Sequence, residues 1–248
     1  MKLDILAFGV HPDDVELSCA GVLLTEKLNG KKTGIIDLTQ GELGTRGTAI
    51  TRKLEAEIAA KILKVDIREN LAMADGFFQN DEAHQKQVIN CIRQYKPEII
   101  FCNAPTDRHP DHGRSAKLES EAAFLSGLKK IETFFNGEAQ EAWRPKYVFN
   151  YIQDKFLQPD FVIDITPVFE EKLEAIKAYG TQFHAQNTNG NNECKEPQTY
   201  ISTPDFLESV IYRHKWYGKL IGVKYAEGFI SEKMIGFSNF DSFIKENT

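Results

Sequence analysis

The chain has 248 residues, 42% of them hydrophobic and 27% charged, with a formal net charge of −6. That length buries a full core, and the composition excludes a largely disordered chain. The acid excess argues against a broad nucleic-acid-binding face, no apolar run reaches membrane-spanning length, and "MKLDILAFGVHPDD" turns acidic too soon for a signal peptide.

In chain order, "LDILAFGV" (3–10) predicts a short buried strand. Asp14 to Asn29 follows as an amphipathic helix, with Val15, Cys19, Val22, Leu23 and Leu28 near helical spacing and Gly30 as its stop. "TGIIDLT" (33–39) is a second strand and "QGELGTRGT" (40–48) a Gly-rich loop. Residues 51–65 form a helix with Leu54, Ile58, Ala59, Ile62 and Leu63 on one face. A strand over 69–74, a helix over 81–95 and the strand "EIIFCNA" (98–104) come next. A polar loop (106–115) leads into a helix from about His112 to Lys130. Strands over 146–152 and 161–166 precede a helix over 167–180, with proline at its start and glycine at its end. A polar loop (185–200) and a helix over 204–217 lead into "GVKYAEGF" (222–229).

Repeated strand–helix units predict an α/β fold, one domain over 1–248 with a mostly parallel sheet flanked by helices. The four cysteines, Cys19, Cys91, Cys102 and Cys194, form no CxxC pair. They read as scattered thiols of a reducing compartment, the cytoplasm, rather than as a disulfide framework or a cysteine zinc site.

Sites in such sheets form at the carboxyl ends of strands, which directs attention to the loops after Val10 and Ala104. The first, "HPDD", holds His11, Asp13 and Asp14; the second, "TDRHPDH", holds Asp107, His109, Asp111 and His112. Three of the six histidines lie in these two loops. If the two strands are neighbours, His11, Asp14 and His112 offer two nitrogens and one oxygen to a metal, a set that zinc accepts while leaving a position for water. Ferrous iron takes the same set. Asp13 is then a carboxylate beside the metal, placed to act as general base. His109, as an imidazolium, faces the other side of a bound carbonyl to stabilise an oxyanion or protonate a leaving amine. Asp111 orients that ring and favours its charged form. The blander use of Asp13 or Asp14 is as a helix N-cap, and one of the two is expected to cap as well. His84 and His214 fall on predicted helices and read as ordinary surface or half-buried histidines, while His184 after a helix end is ambiguous.

"HPDD" near the N-terminus with "HPDH" about a hundred residues on resembles the PIG-L/LmbE family of metal-dependent N-acetylglucosamine deacetylases. "TQGELGTRGT" followed by "TRKLEAEIAAKIL" resembles that family's Gly-rich loop and helix, and "GVKYAEGF" resembles its bacillithiol-biosynthesis branch. The resemblance runs from Leu3 to about Phe229 and is weakest over 131–200. It implies a Rossmann-like three-layer sandwich and one zinc per chain on His11, Asp14 and His112, with Asp13 as base and His109 and Asp111 as an electrostatic pair. It implies N-deacetylation of a small-molecule N-acetylglucosamine conjugate, in that branch one joined to L-malate, by a homo-oligomer, trimer or hexamer. An anionic aglycone calls for arginines. Arg46, Arg52, Arg108 and Arg114 lie in or beside the loops; Arg52 and Arg108 match family positions, against helix-surface charge for Arg52 and Arg114. Glu42 is a candidate for sugar hydroxyls. The chain has "TQF" (181–183) where the family carries Ser-Gln, so Gln182 receives no role.

Two other readings compete. One is a deacylase of another N-acetylated sugar or of a thiol conjugate. The other is a nucleotide-binding regulatory protein using "GELGTRGT" for phosphate, but that loop lacks the GxGxxG order and the Lys-Ser/Thr ending of a P-loop.

Overall fold

Successive side chains of a strand point to opposite faces, so Ile5 and Ala7 enter one apolar core while Leu6 and Phe8 enter another. That alternation on a central strand produces three layers. The structure, a computed structural model, describes residues 1–183 and 196–239. In chain order its elements are β1 (Ile5–Gly9), α1 (Asp14–Ser18), α2 (Ala20–Leu28), β2 (Thr33–Thr39), α3 (Ala49–Leu63), β3 (Ile67–Met73), α4 (Glu82–Tyr95), β4 (Ile99–Cys102), α5 (Pro110–Leu125), β5 (Phe134–Phe135), β6 (Glu138–Ala139), β7 (Tyr147–Tyr151), β8 (Phe161–Asp164), α6 (Phe169–Lys177), α7 (Pro204–Ile221) and β9 (Ala226–Ser231).

Seven strands form one sheet in the order β3-β2-β1-β4-β7-β9-β8, in which β9 alone runs against its neighbours. The expected α/β sandwich with a mostly parallel sheet is therefore present. Helices α4 and α5 pack Val88, Ile92, Leu118 and Ala122 on one face. The other face takes Val22 and Leu23 of α2, Ala56 and Ala59 of α3, Ile176 of α6 and Val210 of α7. Strand order reverses at β1, with β2 and β3 on one side and β4 and β7 on the other. Such a reversal leaves a crevice at the strands' carboxyl ends, and both histidine-rich loops open into it.

Several boundaries differ from the sequence reading for local reasons. The helix expected over 14–29 breaks at Cys19 (φ −134°) into α1 and α2. Helix α3 starts two residues earlier than expected because Thr48 caps it through a reciprocal pair with Thr51. Strand β3 begins at Ile67, hidden in sequence by the charge of Arg68, which is buried against Asp37 and Glu16. Helix α5 starts at Pro110 and stops at Leu125, short of Lys130. The β5–β6 hairpin had no sequence signal. Cys19, Cys91 and Cys102 are buried free thiols, whereas Cys194, His184 and most of the 185–200 loop lie outside the described residues. No helix among the described residues is long and apolar enough to cross a membrane.

The break at Cys19 is held from both sides. A continuous helix would bond Gly21 N–H to the Leu17 carbonyl. Instead Gly21 N and Val22 N donate to Glu227 of β9 at 2.8 and 2.7 Å, and the Leu17 carbonyl accepts from Arg213 of α7 at 3.0 Å. Glu227 also accepts from Lys172 of α6 at 2.5 Å, and both side chains are fully buried. Beside them His214 is buried, not surface, and donates Nδ1–H to the Val210 carbonyl at 2.6 Å. Replacing Glu227 with Ala strands a buried ammonium and two N–H groups. Glu227→Ala should lose about 3–5 kcal/mol of unfolding free energy, read from urea denaturation.

Candidate functional site

The loop after β1 turns on a strained residue. Asp13 has φ 130° and ψ −21°, a region non-glycine residues avoid, and it is buried. One guanidinium holds it there. Arg52 Nη2, from α3, donates to Asp13 Oδ2 at 2.8 Å and to the Pro12 carbonyl at 2.5 Å. Arg52 reaches across Gly41, where φ is 63° and an added Cβ would lie 2.2 Å from Nη1, so only glycine leaves the path open. Burial raises the Asp13 carboxyl to about 7 against the opposing charge of Arg52. The expected capping role does not hold: Asp13 sits at the N-cap of α1 without a side-chain cap bond, and Asp14 Oδ2 accepts instead from His11 N at 2.9 Å.

Around Asp14 two imidazoles are oriented by two further acids. His11 Nε2 donates to Asp75 Oδ1 at 3.0 Å, leaving Nδ1 3.8 Å from Asp14 Oδ2. His112 Nδ1 donates to Asp107 Oδ2 at 2.5 Å, leaving Nε2 3.3 Å from Asp14 Oδ1. Each orienting acid is itself fixed by main-chain N–H groups: Asp75 by Leu43 at 3.0 Å, Asp107 by Asp154 and Lys155 at 3.1 and 2.7 Å. Asn103 after β4 and Gln153 after β7 donate to Asp14 at 3.1 and 2.7 Å. Burial works against every charge here, yet the imidazoles hold Asp14 well below the usual carboxylate range, while Asp14 and Asp107 raise His112 to about 10.

His109 is the N-cap of α5, its Nδ1 accepting from Asp111 N at 3.3 Å. Its ring stands edge-on to His11, centroids 4.7 Å apart, and ligand nitrogens of His11, His109 and His112 lie within 4.8 Å of one another. Burial and the charges of the other two imidazoles press it down to about 4. Asp111 touches the ring through its main chain; its carboxylate accepts from Gly76 N and Arg114 Nη1 at 2.8 and 2.7 Å and is 3.9 Å from His11 Nε2. A second set of possible metal donors, His11, Asp75 and Asp111, shares His11 with the first.

These groups floor a cavity of about 280 Å³. Arg108 lies on its rim, bonded to Asp154 at 3.0 Å and stacked 4.6 Å over Tyr200. Glu42 accepts from Asp75 N and Gln40 N at 2.9 and 3.2 Å, so its oxygens shape the loop that carries Asp75. Gln182 donates to the Arg46 carbonyl at 2.8 Å. Sequence reasoning left Asp107 unassigned, although it lies five residues before His112, and passed over Asp75, Asn103, Gln153 and Arg213. The first of these stood next to a motif; the others follow strands or sit on a helix with nothing local to mark them.

A family model described as GlcNAc-PI de-N-acetylase, PIG-L, matches residues 6–123. A deacetylase of Escherichia coli, YaiS, itself uncharacterised, is 30% identical over 186 residues, 71% of this chain and 89% of its own. The chain belongs to the PIG-L family. A diacetylchitobiose deacetylase of Thermococcus kodakarensis is 26% identical over 90% of this chain and 81% of its own. A probable N-acetyl-α-D-glucosaminyl L-malate deacetylase of Bacillus subtilis is 24% identical over 87% and 99%. Among solved structures, the conserved protein TT1542 of Thermus thermophilus superposes with a TM-score of 0.84 at 30% identity, covering 96% of this chain and 99% of its own. Membership of the PIG-L family places the protein among the amide-cleaving deacetylases.

The strain at Asp13 has a measurable consequence. Asp13→Gly and Asp13→Ala both remove the carboxylate, but only glycine relaxes at φ 130°. Asp13→Gly should be the more stable of the two by about 1 kcal/mol in urea unfolding.

Proposed function

We propose that the protein hydrolyses the acetamide of an N-acetylglucosamine conjugate, with the conjugate to L-malate as the first substrate to test. The observation that carries the reading is that His11 Nδ1 and His112 Nε2 both face Asp14, at 3.8 and 3.3 Å, each imidazole turned inward by an acid on its far nitrogen. Imidazoles turned inward in this way, with a carboxylate between them, suit zinc or ferrous iron. When bound, such an ion supplies an activated water at neutral pH and polarises the amide carbonyl.

The chain's own residues do the rest. Asp13, one oxygen tied to Arg52, receives the proton of the attacking water. His109 has Nδ1 engaged by the Asp111 N–H, which leaves Nε2 to donate to the carbonyl oxygen as it gains charge. The proton held by Asp13 then passes to the departing amine, so water and amide give acetate and a free amino sugar. Arg52 sets the position of Asp13, and Arg108 at the rim faces the part of the substrate beyond the acetamide.

The deciding experiment compares deacetylation of the malate conjugate with that of free N-acetylglucosamine and diacetylchitobiose, using metal-loaded protein. Release of acetate from none of the three would overturn the reading. His11→Ala, Asp14→Ala and His112→Ala should each lose the bound metal after dialysis against a mild chelator, measured by elemental analysis. Asp107→Asn should weaken metal affinity about 10–100-fold, because it disturbs the donor nitrogen without removing it. Asp13→Asn should keep the metal, and His109→Ala should lower turnover about 10²–10³-fold with metal content unchanged.

A further inference from the structure

Three arginines of the cavity wall are matched to acids: Arg46 to Glu196 at 3.7 Å, Arg52 to Asp13 at 2.8 Å and Arg108 to Asp154 at 3.0 Å. Arg213 of α7 is not. It lines the same cavity, and among the described residues its bond is the one from Nη2 to the Leu17 carbonyl at 3.0 Å. A guanidinium carries five N–H donors and a permanent charge. The acids nearest in influence are engaged elsewhere: Asp154 with Arg108 and Tyr200, Asp107 with His112, Glu227 with Lys172.

We propose that Arg213 is a specificity-determining residue that binds a carboxylate on the substrate, beyond the sugar ring that bears the acetamide. The position fits: Arg213 holds the carbonyl of Leu17, three residues past Asp14 on α1, and Asp14, Leu17 and Arg213 line one cavity, so an anion at Arg213 shares that cavity with the reacting amide. The same cavity is lined by the apolar Leu17, Ile201 and Phe206, and an ion pair in such a lining is stronger than one in open water. A purely structural role explains less. Holding the Leu17 carbonyl at the helix break needs one neutral donor, and a charge left unmatched in a partly buried pocket is costly. The inference rests on the deacetylase reading above and adds to it the residue that would distinguish an anionic conjugate from a neutral one.

The test uses deacetylated ligands, which bind without reacting. Glucosamine joined to L-malate and methyl glucosaminide are titrated calorimetrically into metal-loaded wild type, Arg213→Gln and Arg213→Lys. Glutamine keeps a donor for the Leu17 carbonyl and removes the charge. The malate ligand should bind wild type at least about tenfold more tightly than the methyl ligand, and this preference should collapse in Arg213→Gln and persist in part in Arg213→Lys. A preference unchanged in Arg213→Gln, an equal loss for both ligands, or no preference in wild type would each overturn the proposal. Should Arg213→Gln not fold, the Lys variant and the wild-type preference still decide. Wild type that binds the malate ligand through Arg213 yet deacetylates nothing would sink the proposed reaction and leave this inference standing.

Discussion

Everything at the crevice is arranged about one carboxylate. Asp14 is buried, and its two oxygens meet donors from four separate stretches of chain: His11 of its own loop, Asn103 after β4, Gln153 after β7 and His112 of α5. A buried carboxylate is tolerated only when it is surrounded by donors or cations. The parallel strands β1, β4 and β7 end at the same level and so deliver those donors together. The reversal of strand order at β1 is what opens a space above them.

Charge in this crevice is layered. Asp75 and Asp107 form an outer ring that polarises His11 and His112, Asp75 held by the Leu43 main-chain N–H and Asp107 by those of Asp154 and Lys155. Asp13 stands apart from that ring, bonded to Arg52 and strained in its backbone. The two adjacent aspartates of "HPDD" therefore do not share an environment. One faces imidazoles and the other a guanidinium, and the strained φ of Asp13 is what turns them apart.

The same economy appears at the helix break. A helix continuing through Cys19 would leave Leu17 no free carbonyl, and Arg213 no reason to enter the crevice. Glu227 and Lys172, which do not line the cavity, stabilise the interrupted helix. The fold thus uses one buried ion pair to hold a kink and a second cation to join that kink to the cavity.

Local chemistry was readable in the sequence: apolar runs gave the strands, Gly30 ended a helix near where it was expected, and the paired HPD loops marked the crevice because histidine and aspartate seldom cluster at strand ends without a task. The sequence by itself determined the α/β class and marked the two histidine- and aspartate-rich loops that meet at the crevice, since both rest on short-range pattern. Only the tertiary structure decided that Asp107 and Asp75 orient the two imidazoles, that Asp111 meets His109 through its main chain, that Arg52 serves Asp13, and that Arg213 enters the cavity. These are contacts between segments as much as 196 residues apart, and a hydrogen bond formed by folding leaves no trace in the spacing of either partner.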